Sequence, residues 1–249
     1  MRGAVLGSGS KANSYYFASR HGAVLVDNGF SYRELCRRLS AAGASASAVK
    51  YLFVTHSHSD HTRGVPLFLK NHRIPCFAHP LTAADAGICG TRITPVEYDS
   101  EYSYAGIRFK TFALSHDAPG AVGYSLFFDG VQCTIMTDTG CISDGMAAQA
   151  ATADLLFLEA NYCPDMLENG AYPEFVKNRI QSELGHLSNT DTAEFLRLLE
   201  KKGFSGKVFI CHLSENNNTP ERVAEALGSR LLDSMGIKIC PRNEFVPFC

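Results

Sequence analysis

With 249 residues, of which 45% are apolar and 19% charged, the chain is built to bury a substantial core, which excludes a disordered segment. A net charge of -2 excludes a protein that coats nucleic acid by bulk electrostatics, though not a local basic groove. No stretch approaches the length of a membrane span, and the first residues run at once into a glycine–serine turn, so a soluble cytoplasmic protein is expected.

Ala4-Val5-Leu6 reads as a strand, Gly7 to Lys11 as a turn, and Asn13 to Ala18 and Gly22 to Val26 as two further strands. The turn either offers Ser10, Lys11 and backbone N–H groups to a phosphate or is a plain hairpin connection. The strand of Ala23 to Val26 ends at Asp27, and Ser31-x-x-Glu34 has the form of a capping box opening a helix that stops at Gly43. Lys50 to Val54 is a short apolar strand running into Thr55-His56-Ser57-His58-Ser59-Asp60-His61-Thr62. A helix near Val65 to Lys70 and a strand at Pro75 to Ala78 follow.

Ala105 to Leu114 reads as a strand leading into Ser115-His116-Asp117. Gly123 to Phe128 and Val131 to Thr137 form a predicted hairpin around Asp129-Gly130, its second strand ending at Asp138. Asp154 to Glu159 is another buried strand. Pro164 to Ser182 is polar, partly helical, and carries Lys177 and Arg179. Gly185-His186-Leu187-Ser188-Asn189 precedes a helix capped by Thr190 or a neighbour and ended by Gly203. Lys207 to Cys211 is a strand that stops at His212, and Thr219-Pro220 opens a last long helix. No short repeat, low-complexity segment or linker interrupts this order, so residues 1–249 are expected to form one α/β domain. The nine cysteines (36, 76, 89, 133, 141, 163, 211, 240 and 249) are odd in number, and none forms a Cys-x-x-Cys pair. Buried free thiols fit this better than a disulfide framework.

The chemistry collects at strand ends. Asp27, His56, His58, His116, Asp138 and His212 all fall at or just after predicted C-terminal strand ends, which lie along one rim of a layered α/β structure. In an extended chain His56 and His58 point the same way, and a following turn can carry Asp60 and His61 to a neighbouring position. A two-metal site follows: His56, His58 and His116 for one ion, Asp60, His61 and His212 for the other, with the Asp138 carboxylate bridging them. Mixed imidazole and carboxylate donors suit zinc, manganese or iron rather than calcium or magnesium. Asp27 is either a carboxylate that holds a ligand histidine by its far ring nitrogen or a turn residue. The other histidines, His21, His72 and His79, lie among ordinary turn or surface residues.

Thr-His-x-His-x-Asp-His after a strand, followed by a later lone His, an Asp and a last His, resembles the metallo-β-lactamase-fold hydrolases. Gly7-Ser8-Gly9-Ser10-x-x-Asn13-Ser14, Ser115-His116-Asp117, Gly185-His186-Leu187-Ser188-Asn189 and His212-Leu213-Ser214-Glu215-Asn216-Asn217 look, more narrowly, like its YycJ/WalJ-type branch. Lys11-Ala12 departs from the glycine expected before the asparagine, which touches the form of the first loop and no metal ligand. The resemblance implies an αββα sandwich, two mixed sheets flanked by helices, with two divalent ions at one edge. It also implies phosphodiester chemistry on nucleic acid, exonuclease-like and on DNA, with the ions activating water. Asp138, where antibiotic-hydrolysing lactamases commonly have cysteine, argues against that activity. The short interval from Asp138 to His186 leaves no room for the inserted cap domain of certain RNA-processing nucleases.

The catalytic assignments within this scheme are Asp60, also a ligand, and His186, which the ligand set leaves free to stabilise the transition state or protonate the leaving oxygen. Ser188, Asn189, Ser214 and Asn216 either hydrogen-bond phosphate oxygens or cap helices and turns. Three other readings stand beside the nuclease: a small-molecule or cyclic-phosphate phosphodiesterase, a glyoxalase II-like thioester hydrolase, and a metal-stabilised regulatory or binding protein. A groove lined by Lys11, Arg63, Lys177 and Arg179 would favour the nuclease, and a closed pocket a small diester.

Overall fold

A computed structural model describes residues 1–90 and 92–249. Its strands, in chain order, are β1 (Arg2–Gly7), β2 (Ser14–Ser19), β3 (Gly22–Val26), β4 (Val49–Phe53), β5 (Cys76–Ala78) and β6 (Ile93–Pro95), then β7 (Glu101–Tyr104), β8 (Ile107–Ala113), β9 (Val122–Phe128), β10 (Val131–Met136), β11 (Leu155–Glu159), β12 (Lys207–Cys211), β13 (Lys238–Ile239) and β14 (Val246–Phe248). They form two seven-stranded sheets, ordered β14-β1-β2-β3-β4-β5-β6 and β13-β12-β11-β10-β9-β8-β7. Both sheets are mixed in the same way. β14 to β3 pair antiparallel and β3 to β6 parallel; likewise β7 to β10 pair antiparallel and β10 to β13 parallel. β3 and β10 therefore hold equivalent places, each at the switch from antiparallel to parallel pairing.

Strand alternation sorts side chains between the layers. Val24 and Val26 of β3 and Phe53 of β4 face inward, where they meet Phe109, Tyr124, Phe128, Phe157 and Phe209 from the second sheet. Leu25 and Leu52 face outward onto α1 (Tyr32–Ala41), α2 (Ser59–Thr62), α3 (Val65–His72) and α4 (Pro80–Asp85) as the first outer layer, with Leu35, Leu39 and Phe68 among the packed partners. On the second sheet Leu156, Leu158, Val208 and Ile210 pack on the helices α5 (Asp144–Ala151), α8 (Asn189–Lys201), α9 (Pro220–Leu227) and α10 (Ser229–Ser234), chiefly through Met146, Leu196, Leu199 and Val223, while α6 (Pro164–Glu168) and α7 (Glu174–Gln181) lie outside that cluster. The result is a four-layer αββα sandwich.

Some elements differ from the sequence reading. The expected strand of Ala105 to Leu114 begins instead at Ile107, because Ala105 and Gly106 take positive φ (48° and 87°) and turn the chain back to β7. Ser31 caps α1 by accepting from the Glu34 N–H, but the Glu34 carboxylate serves Arg37 and Arg38, so only half of a capping box forms. The last long helix is two short ones, broken at Gly228 where φ is 77°. Among the described residues no helix is long and apolar enough to cross a membrane.

All nine cysteines are free thiols, and five of them (Cys76, Cys133, Cys163, Cys211 and Cys240) are buried. Burial pushes the Cys76 thiol up to about 12 and those of Cys133 and Cys211 well above the usual range. Such thiols stay protonated and unreactive at neutral pH. A thiol reagent added to the folded protein should therefore modify exposed Cys89 and Cys249 first and half-buried Cys36 and Cys141 more slowly. The other five should react only on unfolding, and enzymatic activity should survive the native-state modification. Rapid native labelling of Cys211 would contradict the packing.

Candidate metal centre

Every expected donor leaves the same end of the sandwich, because β3, β4, β8, β10, β11 and β12 all point their C-terminal ends there. After β4 the chain runs through His56, and His58 is the N-cap residue before the single turn of α2, which carries Asp60 and His61. That turn is pinned to its neighbours: the N–H groups of Asn13 and Asn28 donate to the carbonyls of Asp60 and His61, each at 2.8 Å. Gly29 is required by this close approach, since a Cβ there would lie 1.8 Å from the Asp60 carbonyl oxygen.

The donors form overlapping groups, in each of which the potential ligand atoms lie within 4.8 Å of one another: His56, His58 and His116; Asp60, His61 and His212; and His56, His61 and Asp138. Asp138 joins the first two. Its carboxylate oxygens lie 3.2 Å from His212 Nε2, 3.5 Å from His61 Nε2 and 4.0 Å from both His56 Nε2 and His116 Nε2. His56 Nε2, His212 Nε2 and Asp138 Oδ2 are buried yet make no hydrogen bond. Orphaned polar atoms of this kind are costly in a folded protein unless something else satisfies them. Converging nitrogen and carboxylate donors with unspent lone pairs fit divalent metal ions.

The surrounding groups fix ring orientation. The Asp27 carboxylate accepts from the Thr55 N–H and hydroxyl and lies 2.8 Å from His61 Nδ1, so the far nitrogen of that ring faces the donors. Although burial disfavours charge on His61, the Asp138, Asp27 and Asp60 carboxylates together raise it to about 9. The same excess of negative charge would favour a bound cation. The His116 Nδ1 lies 3.1 Å from the Gly185 carbonyl. Three of these positions, Asp27, Asp138 and His212, take left-handed backbone with φ of 58°, 67° and 54°. Asp27 and Asp138 do so at the equivalent strand ends of the two sheets.

The sequence reading missed Glu159. Its buried carboxylate at the end of β11 accepts from the Thr139 N–H at 2.6 Å and lies 3.0 Å from His186 Nδ1 and 3.4 Å from His212 Nδ1. The signal was available, as a lone carboxylate closing an otherwise apolar strand. Asn13 was also missed; its amide lies 3.0 Å from an Asp60 oxygen and 2.8 Å from His61 Nε2. His186 is half-buried, its Nδ1 held by Glu159, and it also falls within 4.8 Å groups with His116 and Asp138 and with Glu159 and His212.

A hollow of about 250 Å³ opens over these donors, lined by Ser10, His58, Asp60, Asp138, His186, His212 and Ser214, and walled by Tyr172, Val176, Arg179 and Ile180. The other expected substrate contacts are not there. Ser188 is the N-cap of α8, bonded to Asp191 in a capping box, and the Asn189 amide pairs with Asn218. Both are buried and spent on structure. Asn216 donates to the Tyr172 hydroxyl at 2.7 Å, and Lys11 is paired with Glu215 on the exposed surface. Of the four basic residues expected to line a groove only Arg179 lines the hollow; Arg63 holds the Gly29 carbonyl and Lys177 the Glu168 carbonyl.

A mixed two-sheet sandwich with clustered histidines and aspartates at one edge defines a metal-dependent hydrolase of the metallo-β-lactamase fold. The beta-lactamase superfamily domain model matches residues 23–212, and the chain belongs to that superfamily. It is 32% identical over 225 residues to the exodeoxyribonuclease WalJ of Streptococcus pneumoniae serotype 2 (strain D39), covering 87% of this chain and 83% of WalJ. With the exodeoxyribonuclease YycJ of Bacillus anthracis it shares 30% identity over 241 residues, covering 94% and 90%. Among solved structures, the metallo-β-lactamase fold protein YhfI from Bacillus subtilis aligns with a TM-score of 0.72 over 99% of both chains, at 14% identity. The resemblance read from the motifs thus extends along nearly the whole chain.

Proposed function

We propose that this hydrolase is a dinuclear metal-dependent nuclease that cleaves phosphodiester bonds from the ends of DNA. His56, His58 and His116 would hold one zinc or manganese ion, Asp60, His61 and His212 the other, and Asp138 would face both. The observation that carries the reading is the convergence of buried, unpaired ligand atoms from His56, Asp138 and His212 at the edge where both sheets end. The DNA assignment is supported by the two exodeoxyribonucleases that match along most of their length.

When bound, the ions would supply a water deprotonated near neutral pH and offset charge growing on the phosphoryl oxygens. The protein's own groups do the rest. Asp27 and Glu159 hold the His61 and His212 rings by their far nitrogens, which keeps the donor nitrogens aimed inward. His186, oriented by Glu159, keeps its other ring nitrogen for the substrate side, where it stabilises charge or returns a proton to the leaving oxygen. Ser10 and Ser214 line the floor available to phosphate oxygens.

Purified protein incubated with end-labelled DNA, RNA and a chromogenic phosphodiester, supplied with zinc and then manganese, tests the proposal. DNA should be shortened progressively from its ends. Chelation should abolish this, costing at least roughly a thousandfold in rate, the scale of losing several kcal/mol of charge stabilisation. Turnover confined to RNA or to the small diester would overturn it.

A further inference from the structure

The segment between α6 and α8 is packed in an unusual way. Helix α7 buries none of its residues, although it carries Phe175, Val176 and Ile180. Helices of globular proteins ordinarily turn such an apolar stripe onto the core. Here Val176, Arg179 and Ile180, spaced i, i+3, i+4 on one face, line the hollow over the metal donors instead. Tyr172, just before the helix, joins them, its hydroxyl tethered by the Asn216 amide at 2.7 Å. The Arg179 guanidinium is paired with Asp117, whose carboxylate lies 3.7 Å from both His58 Nε2 and His116 Nε2. One wall of the hollow is thus apolar and aromatic, and a cation stands between that wall and the donors.

A wall of this kind matches a ligand that is both ringed and anionic. A bare phosphate would leave Tyr172, Val176 and Ile180 uncovered, and an apolar ligand would leave unused the guanidinium N–H groups that Arg179 does not spend on Asp117 through Nε. The hollow, about 250 Å³, lies just below the usual range of small-ligand sites, roughly 300–1,000 Å³, so it has room for a small group and none for a stretch of duplex. We propose that this wall is a terminal-nucleotide subsite: the ring of Tyr172 stacks on the base of one unpaired nucleotide at a DNA end, and Arg179 pairs with the phosphate beside the scissile one. The inference rests on the nuclease reading above and adds to it what is held and how. A duplex end must then fray by one nucleotide before it is cut, and a strand with an unpaired end is the better substrate.

The test compares wild type, Tyr172→Ala, Tyr172→Phe and Arg179→Gln on three substrates: a single-stranded oligodeoxynucleotide, the same strand with its terminal base removed, and methyl nitrophenyl phosphate, which has no base. Stacking energies for single-stranded nucleic acid correspond to roughly five- to hundredfold in binding. Tyr172→Ala should raise KM for the normal strand within that range, leave kcat nearly unchanged, and erase the preference over the abasic end. Tyr172→Phe should behave as wild type, since the ring remains. Arg179→Gln should raise KM on both strands alike. All variants should keep the wild-type circular dichroism spectrum and metal content, which separates loss of the subsite from loss of the fold. Wild type that degrades DNA while Tyr172→Ala keeps its KM and its end preference would overturn the subsite and leave the nuclease reading standing. Wild type that hydrolyses the small diester but no DNA would overturn both.

Discussion

Asp138→Ala should strip both metal positions at once. Metal analysis of gently purified wild type is expected to give close to two equivalents per chain, and the variant well under one. The reason is the placement of a single carboxylate, with Oδ1 3.2 Å from His212 Nε2 and 4.0 Å from His56 Nε2 and His116 Nε2, and Oδ2 3.5 Å from His61 Nε2. Removing it takes away a donor common to both groups and leaves buried imidazoles without their counter-charge. Activity should fall by at least roughly a thousandfold, because both the water activation and the charge compensation are lost together. His116→Ala is the control: it belongs to one triad only and should release mainly one ion. A variant at position 138 that retains a full equivalent of tightly held metal would show that the carboxylate does not serve both sites.

The second large effect separates His186 from the ligands. His186→Ala should keep both ions and the fold while losing about a hundred- to ten-thousandfold in rate, the range for one acid–base group. The geometry behind this is the 3.0 Å contact from His186 Nδ1 to Glu159 Oε2, which orients the ring from behind while the side chain stays at the edge of the hollow. The loss should shrink on a nitrophenyl diester, whose leaving oxygen needs no proton. Since His186 also lies within ligand reach of His116 and Asp138, metal content must be measured alongside the rate. An ion lost with the side chain would make His186 a ligand. Unchanged rates on both substrates would remove it from the chemistry.

The candidate donors were legible because histidine and aspartate have no structural reason to crowd behind an apolar strand, and the strands were legible as short apolar runs such as Ala23 to Val26, which the fold buries on both faces. What the sequence hid was of three kinds. Short edge strands such as β6 and β13 carry too few residues to display a period, and their pairing comes from neighbours. Glu159 reads as the polar end of a strand; its role comes only from β11 lying between β10 and β12, which puts it beside His186 and His212. The supposed basic groove failed for the opposite reason. Charge is visible in sequence, but where the fold places it is not, and Arg63 is turned onto the Gly29 carbonyl and does not line the hollow. Ser188 and Asn189 likewise carry polar groups that the fold uses before any substrate could.

The left-handed backbone at Asp27, Asp138 and His212 has a thermodynamic corollary. A side chain in that region costs about 1–2 kcal/mol relative to glycine, somewhat less for aspartate, so the rim that gathers the donors is held against its own conformational preference. Folding and chemistry therefore select different residues at the same three positions. Glycine would relax the chain and abolish the donor or its support, whereas the residues present keep the function at the expense of the apoprotein. Metal-free Asp138→Gly should accordingly melt above metal-free Asp138→Ala, by about 2–4 °C for each kcal/mol in a chain of this size. Equal melting temperatures would mean the strain is absorbed elsewhere. The loops that make this protein an enzyme are thus the ones its stability would most readily give up.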